Sequence, residues 1–117
     1  MAWTGWRPLA NRSEWFADWF DYEGPSCYEL GTGGVRGGNI EPHYVGETIN
    51  ERRRMCQYAC YGSHLSDIIS WHLRQGWCLY YRGTAMPTKA AAVEMQNRML
   101  ARFCYDWNQL LNRMEDG

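Results

Sequence analysis

The sequence predicts one α+β domain on three grounds. Short runs of strand formers alternate with stretches of helical apolar spacing, a glycine-dense segment separates the first two strand-like runs, and the composition is that of a folded chain. Apolar residues make up 45% and charged residues 21% of the 117 residues, which excludes disordered, collagen-like and coiled-coil classes and fits a single core. No apolar run nears the roughly 18 residues of a membrane span. Arg7 and Pro8 follow Trp3 and Trp6 where a secretion signal would run on unbroken. The cysteines, Cys27, Cys56, Cys60, Cys78 and Cys104, are odd in number, so reduced thiols and a cytoplasmic setting are expected.

The expected order is helix, strand, strand, helix, helix, strand, helix, helix. Asn11, followed three residues later by Glu14, opens a helix to Tyr22 in which Trp15, Phe16, Trp19 and Phe20 form one aromatic stripe; Gly24-Pro25 stops it. Ser26–Leu30 alternates like a strand, and five glycines between Gly31 and Asn39 make a hairpin loop without the Gly-Lys-Ser/Thr ending that a triphosphate-binding loop needs. His43–Gly46 is the second strand. Thr48 and Glu51 form a capping box, starting a helix near Ile49 that Gly62 ends. Leu65, Ile68, Ile69, His72 and Leu73 share a helix face that Gly76 terminates, and Trp77–Arg82 is a third strand. Pro87 opens a helix whose face of Ala92, Met95, Met99 and Phe103 packs inward, before a last short pattern of Trp107, Leu110, Leu111 and Met114.

The formal charge is −1, but it is unevenly spread. Residues 1–29 hold two arginines against five carboxylates (net −3), whereas residues 30–113 hold ten cations against six carboxylates (net +4). Eleven of the twelve cations are arginine, whose planar fork suits phosphate oxygens.

Ser26-Cys27-Tyr28, His43-Tyr44-Val45-Gly46-Glu47-Thr48 and Asn50-Glu51-Arg52-Arg53-Arg54 together resemble the GIY-YIG nucleases, with a degenerate first motif and a good second one. Arg54 follows Tyr44 by ten residues, as the family's essential arginine does, and Glu94 and Asn108 stand where the family places a metal-binding glutamate and an asparagine. Ser26 and Cys27 replace the family's glycine and isoleucine, Glu47 replaces a frequent lysine, and Tyr58 stands where many members carry histidine. The resemblance implies a three-stranded antiparallel sheet flanked by helices over residues 25–117, with residues 1–24 as an aromatic helical addition.

It further implies a DNA endonuclease that leaves 5′-phosphate and 3′-hydroxyl ends, as a small stand-alone phage or mobile-element enzyme. Phosphodiester hydrolysis needs an activated water and an electrophile for developing charge. Tyr44 is the expected base, its phenol acidified by Arg54 or a metal, with Tyr28 orienting it; Arg54 and Tyr58, four residues apart on one helix, point to the same site. Glu94, the only acidic residue between Pro87 and Tyr105, would hold one Mg2+, for which Mn2+ would substitute. Asn108 completes the implied catalytic set. Arg36, Arg52, Arg53 and Arg82 are the candidate DNA contacts.

His43, His64 and His72 are given no catalytic role, with His72 expected in the core. One small domain holds one active site, so a monomer that nicks one strand is expected over a homodimer. The alternatives are a non-catalytic DNA-binding domain or a small zinc module on Cys56, Cys60 and His64 with Cys78 or Cys104. The latter is disfavoured, because Cys56 and Cys60 fall inside a predicted helix.

Overall fold

The computed structural model describes residues 2–14, 21–34, 37–60 and 63–116, and is α+β. In chain order it holds β1 (Arg7–Ala10), β2 (Ser26–Gly34), β3 (Gly37–Thr48), α1 (Glu51–Ala59), α2 (Ser66–Arg74), β4 (Cys78–Ala85), α3 (Lys89–Arg102) and α4 (Asp106–Asp116). The sheet is antiparallel and has four strands in the order β1-β4-β2-β3, one more than expected.

The additional strand comes from the stretch read as a helical addition. Arg7–Ala10 pairs with β4 at the sheet edge, where Pro8, lacking an amide proton, is tolerated. Leu9 and Ala10 are fully buried there. Oδ1 of Asn11 accepts the amide protons of Ser13 and Glu14 in a local turn. The aromatic stripe of Trp15, Phe16, Trp19 and Phe20 lies outside the described residues, so no helix is shown there.

The predicted glycine loop is largely strand, because β2 and β3 pair from Ser26↔Thr48 out to Gly34↔Gly37. Gly31 permits this: a Cβ there would stand 2.7 Å from the carbonyl oxygen of Glu41. The cap of α1 is Asn50, whose Oδ1 accepts from the amide of Arg53 at 3.0 Å, and not Thr48, whose hydroxyl instead holds the amide of Asn50. Gly76 ends α2 with φ +93°, the left-handed geometry expected of it.

Alternation along the strands sorts the core into two layers. On one face Tyr28, Leu30, Tyr44, Leu79, Tyr81 and Leu9 pack with Met55 and Tyr58 of α1, Ile69 and Leu73 of α2, and Trp107 of α4. On the other, Cys27 and Val45 pack with Ala92 of α3, Met86 and Tyr105. One irregularity matters for the first face: the register skips from Leu30↔Tyr44 to Gly31↔Pro42, which leaves His43 as a bulge. The bulge turns His43 to the same side as Tyr44, where it stacks on Trp107 at 4.7 Å between ring centroids. Among the described residues no helix is long and apolar enough to cross a membrane, and all five cysteines are free.

Candidate active site

The first face carries a cluster of phenols that glycine makes possible. Tyr28 on β2 lies opposite Gly46 of β3 on one side and Gly83 of β4 on the other. A Cβ on Gly46 would sit 2.5 Å from the Tyr28 hydroxyl and 2.9 Å from the Tyr44 ring. The glycine that ends the second motif is therefore the floor under both phenols. Tyr58, one helical turn after Arg54 on α1, descends onto them: its hydroxyl meets that of Tyr28 at 2.5 Å, and its ring lies 6.5 Å from that of Tyr44.

Tyr28 and Tyr58 are each 1% exposed and Tyr44 is 9% exposed, the least buried of the three. Its hydroxyl lies 3.3 Å from Nε2 of His64. Sequence reasoning missed His64, because it lies in the α1–α2 connection twenty residues from Tyr44, where neither helical nor strand periodicity points at a partner.

Electrostatics distinguish the three phenols. Burial pushes Tyr28 well above the usual tyrosine range, and possible negative charge on Tyr58 and Tyr44 pushes it the same way. Tyr58 is raised as well, first by burial. Tyr44 is raised by burial too, but a hydrogen bond from Tyr58 and the nearby Arg54 guanidinium both pull it back. The charge of Arg54 pulls all three the other way, so its guanidinium lies within electrostatic reach of the cluster. Its charge alone does not acidify Tyr44 below the ordinary phenol range, contrary to the expectation, so a base at Tyr44 needs a further acceptor for its proton. His64 is placed to be that acceptor.

The remaining candidates lie elsewhere. Asn108 on α4 clips the outer edge of β3: its Oδ1 accepts the amide of Val45 at 2.9 Å and its Nδ2 donates to the carbonyl of Val45 at 3.0 Å. It braces the strand next to Tyr44 without joining the phenols. Arg82 lies on the opposite face, its Nε bound to the buried Glu29 at 2.5 Å and its guanidinium 4.5 Å from the centre of the Trp6 ring, so it is not free for DNA. Arg52 and Arg53 are exposed on α1, Arg52 facing Glu23 at 3.8 Å. Arg36 lies outside the described residues.

Glu94 does not fit a metal at the tyrosine cluster. It stands on α3, which packs through Ala92 on the Cys27–Val45 face, and its exposed carboxylate bonds Arg98 at 2.6 Å. Among the described residues no three His, Cys, Asp or Glu side chains converge to hold a metal ion, which also leaves the zinc alternative without geometric support. His43 and His72 pack around Trp107, consistent with a structural part.

Comparison with known proteins gives one match. Residues 67–116 fit the family model described as GIY-YIG domain-containing protein, a stretch from α2 through β4 and α3 into α4. It includes Glu94 and Asn108 but not Arg54, Tyr28, Tyr44 or Tyr58. No curated protein and no solved structure matches the chain.

Proposed function

On the premise of the GIY-YIG nuclease family, which the match over residues 67–116 supports, we propose that the chain is a DNA endonuclease whose reaction runs at Tyr44. The observation that carries this reading is the contact of the Tyr44 hydroxyl with His64, backed by two buried phenols and by the charge of Arg54 nearby. Arg54, always charged, holds the phosphate oxygens and stabilises the negative charge that builds on them. The Tyr44 oxygen takes a proton from the attacking water while Nε2 of His64 takes the phenol's own proton, so no free phenolate is required. The water oxygen bonds to phosphorus and the bond to the 3′ oxygen breaks. That oxygen leaves as a hydroxyl after taking a proton from solvent, and the phosphate stays on the 5′ side. Tyr28 and Tyr58 fix the Tyr44 ring and touch no reacting atom.

A monomer with one such site cuts one strand per encounter, so the proposed product is a nick, made in a bacterial or phage-infected cytoplasm by an enzyme of phage or mobile-element type. The test is supercoiled-plasmid cleavage by wild type, Tyr44→Phe and His64→Gln, each with Mg2+ or Mn2+ and with EDTA. Open circle should accumulate with wild type and fall by about a hundredfold with either variant. Full activity in both variants would remove the assigned pair, and the EDTA arm reads whether the reaction uses a divalent cation.

A further inference from the structure

Nearer the hairpin end of the same sheet face, a pocket of about 360 Å3 opens between β3 and the C-terminal half of α2. Its rim carries two indoles, Trp71 and Trp77, 51% and 47% exposed. Its floor is rigid. His43 is held at Nε2 by the Thr32 hydroxyl and at Nδ1 by Asp106, each at 2.8 Å, and Trp107 backs the imidazole. Asn39 and Glu41 of β3 form a wall.

This combination specifies a flat heteroaromatic ligand. Exposed indoles offer stacking surface, and a carboxylate and a carboxamide beside them offer in-plane hydrogen bonds. Among the described residues the lining contains no arginine or lysine, and Glu41 would repel a phosphate, so the pocket suits the base of a nucleotide better than its backbone. A carboxylate accepts from an exocyclic amino group, which cytosine has and thymine lacks. Glu41 and Asn39 precede Tyr44 by three and five residues on one strand, roughly 10 and 17 Å at ~3.3 Å per residue, so a nucleic acid lying at Tyr44 reaches the pocket within a few nucleotides.

Resting on the nuclease reading, we propose that this pocket binds an unpaired, amino-bearing nucleobase of the DNA being cut. Taking a base out of a duplex costs a few kcal/mol, least where it is already mismatched or single-stranded. The pocket thus selects distorted or single-stranded sites for cleavage.

The test uses the full chain carrying Tyr44→Phe, which slows cutting of the strand, titrated with short cytosine and thymine oligonucleotides and with blunt duplex while tryptophan fluorescence and anisotropy are read. Cytosine strands should bind more tightly than thymine strands. Trp71→Ala with Trp77→Ala should lose roughly tenfold or more of that affinity, and the double phenylalanine variant should restore most of it. Glu41→Gln should remove the preference for cytosine, and blunt-duplex affinity should stay unchanged throughout. Equal binding of the two strands, or undiminished binding by the double alanine variant, overturns the proposal. So does a concentration-dependent self-association that the alanine variant alone abolishes, which assigns the pocket to a second copy of the chain. Plasmid cleavage by wild type separates the failures: cutting without base selection sinks the pocket alone, and no cutting sinks the nuclease reading.

Discussion

The two faces of the sheet hold the same ingredients in opposite states. On one, the charge of Arg54 acts on Tyr28, Tyr44 and Tyr58, and among the described residues no carboxylate pairs with it. On the other, Arg82 is closed in: Glu29, 3% exposed, takes its Nε and also the hydroxyl of Tyr105, while Trp6 and Trp3 cover the guanidinium. A half-buried arginine paired with a buried carboxylate is already satisfied, whereas an arginine with phenols near it and no ion pair keeps its charge available for an anion. Arginine content and charge distribution cannot separate the two, since both residues sit in the same basic stretch.

Exchanging the two arginines tests the contrast most strongly. Arg54→Ala should lower plasmid cleavage by roughly 10²–10³-fold, the loss expected when a donor to the developing charge is removed, and leave urea stability nearly unchanged. Arg82→Ala should do the reverse, costing roughly 3 kcal/mol in urea unfolding because the buried Glu29 loses its counter-charge and keeps only the Tyr105 hydroxyl. An activity loss without a stability loss for Arg82→Ala would erase the distinction.

Gly46→Ala attacks the floor of the open face. The added methyl would meet the Tyr28 hydroxyl at 2.5 Å, so a destabilisation of roughly 1–3 kcal/mol is expected, with cleavage falling further than the melt predicts because Tyr44 is displaced.

Alkaline titration reaches the same face more gently. The folded-state phenol pKa values of Tyr28, Tyr44 and Tyr58 are raised above the ordinary 10.0, mainly by burial. Their protons are therefore held more tightly folded than unfolded. That contribution is complete below about pH 10 and is lost as the pH rises through the folded values. Chemical denaturation midpoints should fall from about pH 10 upward, and Tyr58→Phe should flatten the fall.

The smallest effect belongs to Glu94→Gln. Its partner Arg98 is one turn away and both side chains are about two-thirds exposed, so stability should change by less than about 0.5 kcal/mol, and cleavage should stay within about twofold. A hundredfold loss of cleavage would return Glu94 to the reaction centre.

Several parts of this site were legible in the sequence because local rules fix them. Four-residue spacing puts Arg54 and Tyr58 on one face of α1, the hairpin pairs the two tyrosine-bearing strands, and Gly76 stops a helix where left-handed geometry is needed. Other parts depend on choices no local rule makes. The apolar face of α3 announces that it packs inward but not against which side of the sheet, and that choice separates Glu94 from Tyr44 despite its family-like spacing. β1 is four residues long and contains a proline, too little for an alternating pattern to register. The bulge at His43 is a register shift, invisible until both strands are paired.

The clip between Asn108 and Val45 governs how copies of the chain meet. β3 is the last strand of its sheet, and an unpaired outer edge is a template on which another strand can be laid, the route to fibres and strand-exchanged assemblies. Asn108 occupies both backbone groups of Val45 in the C-terminal part of that edge. An incoming strand would have to evict the carboxamide before it could continue the ladder past that point. One side-chain amide therefore interrupts growth of the sheet from chain to chain, and Asn108→Leu should seed thioflavin-positive aggregation on storage where the parent protein stays clear.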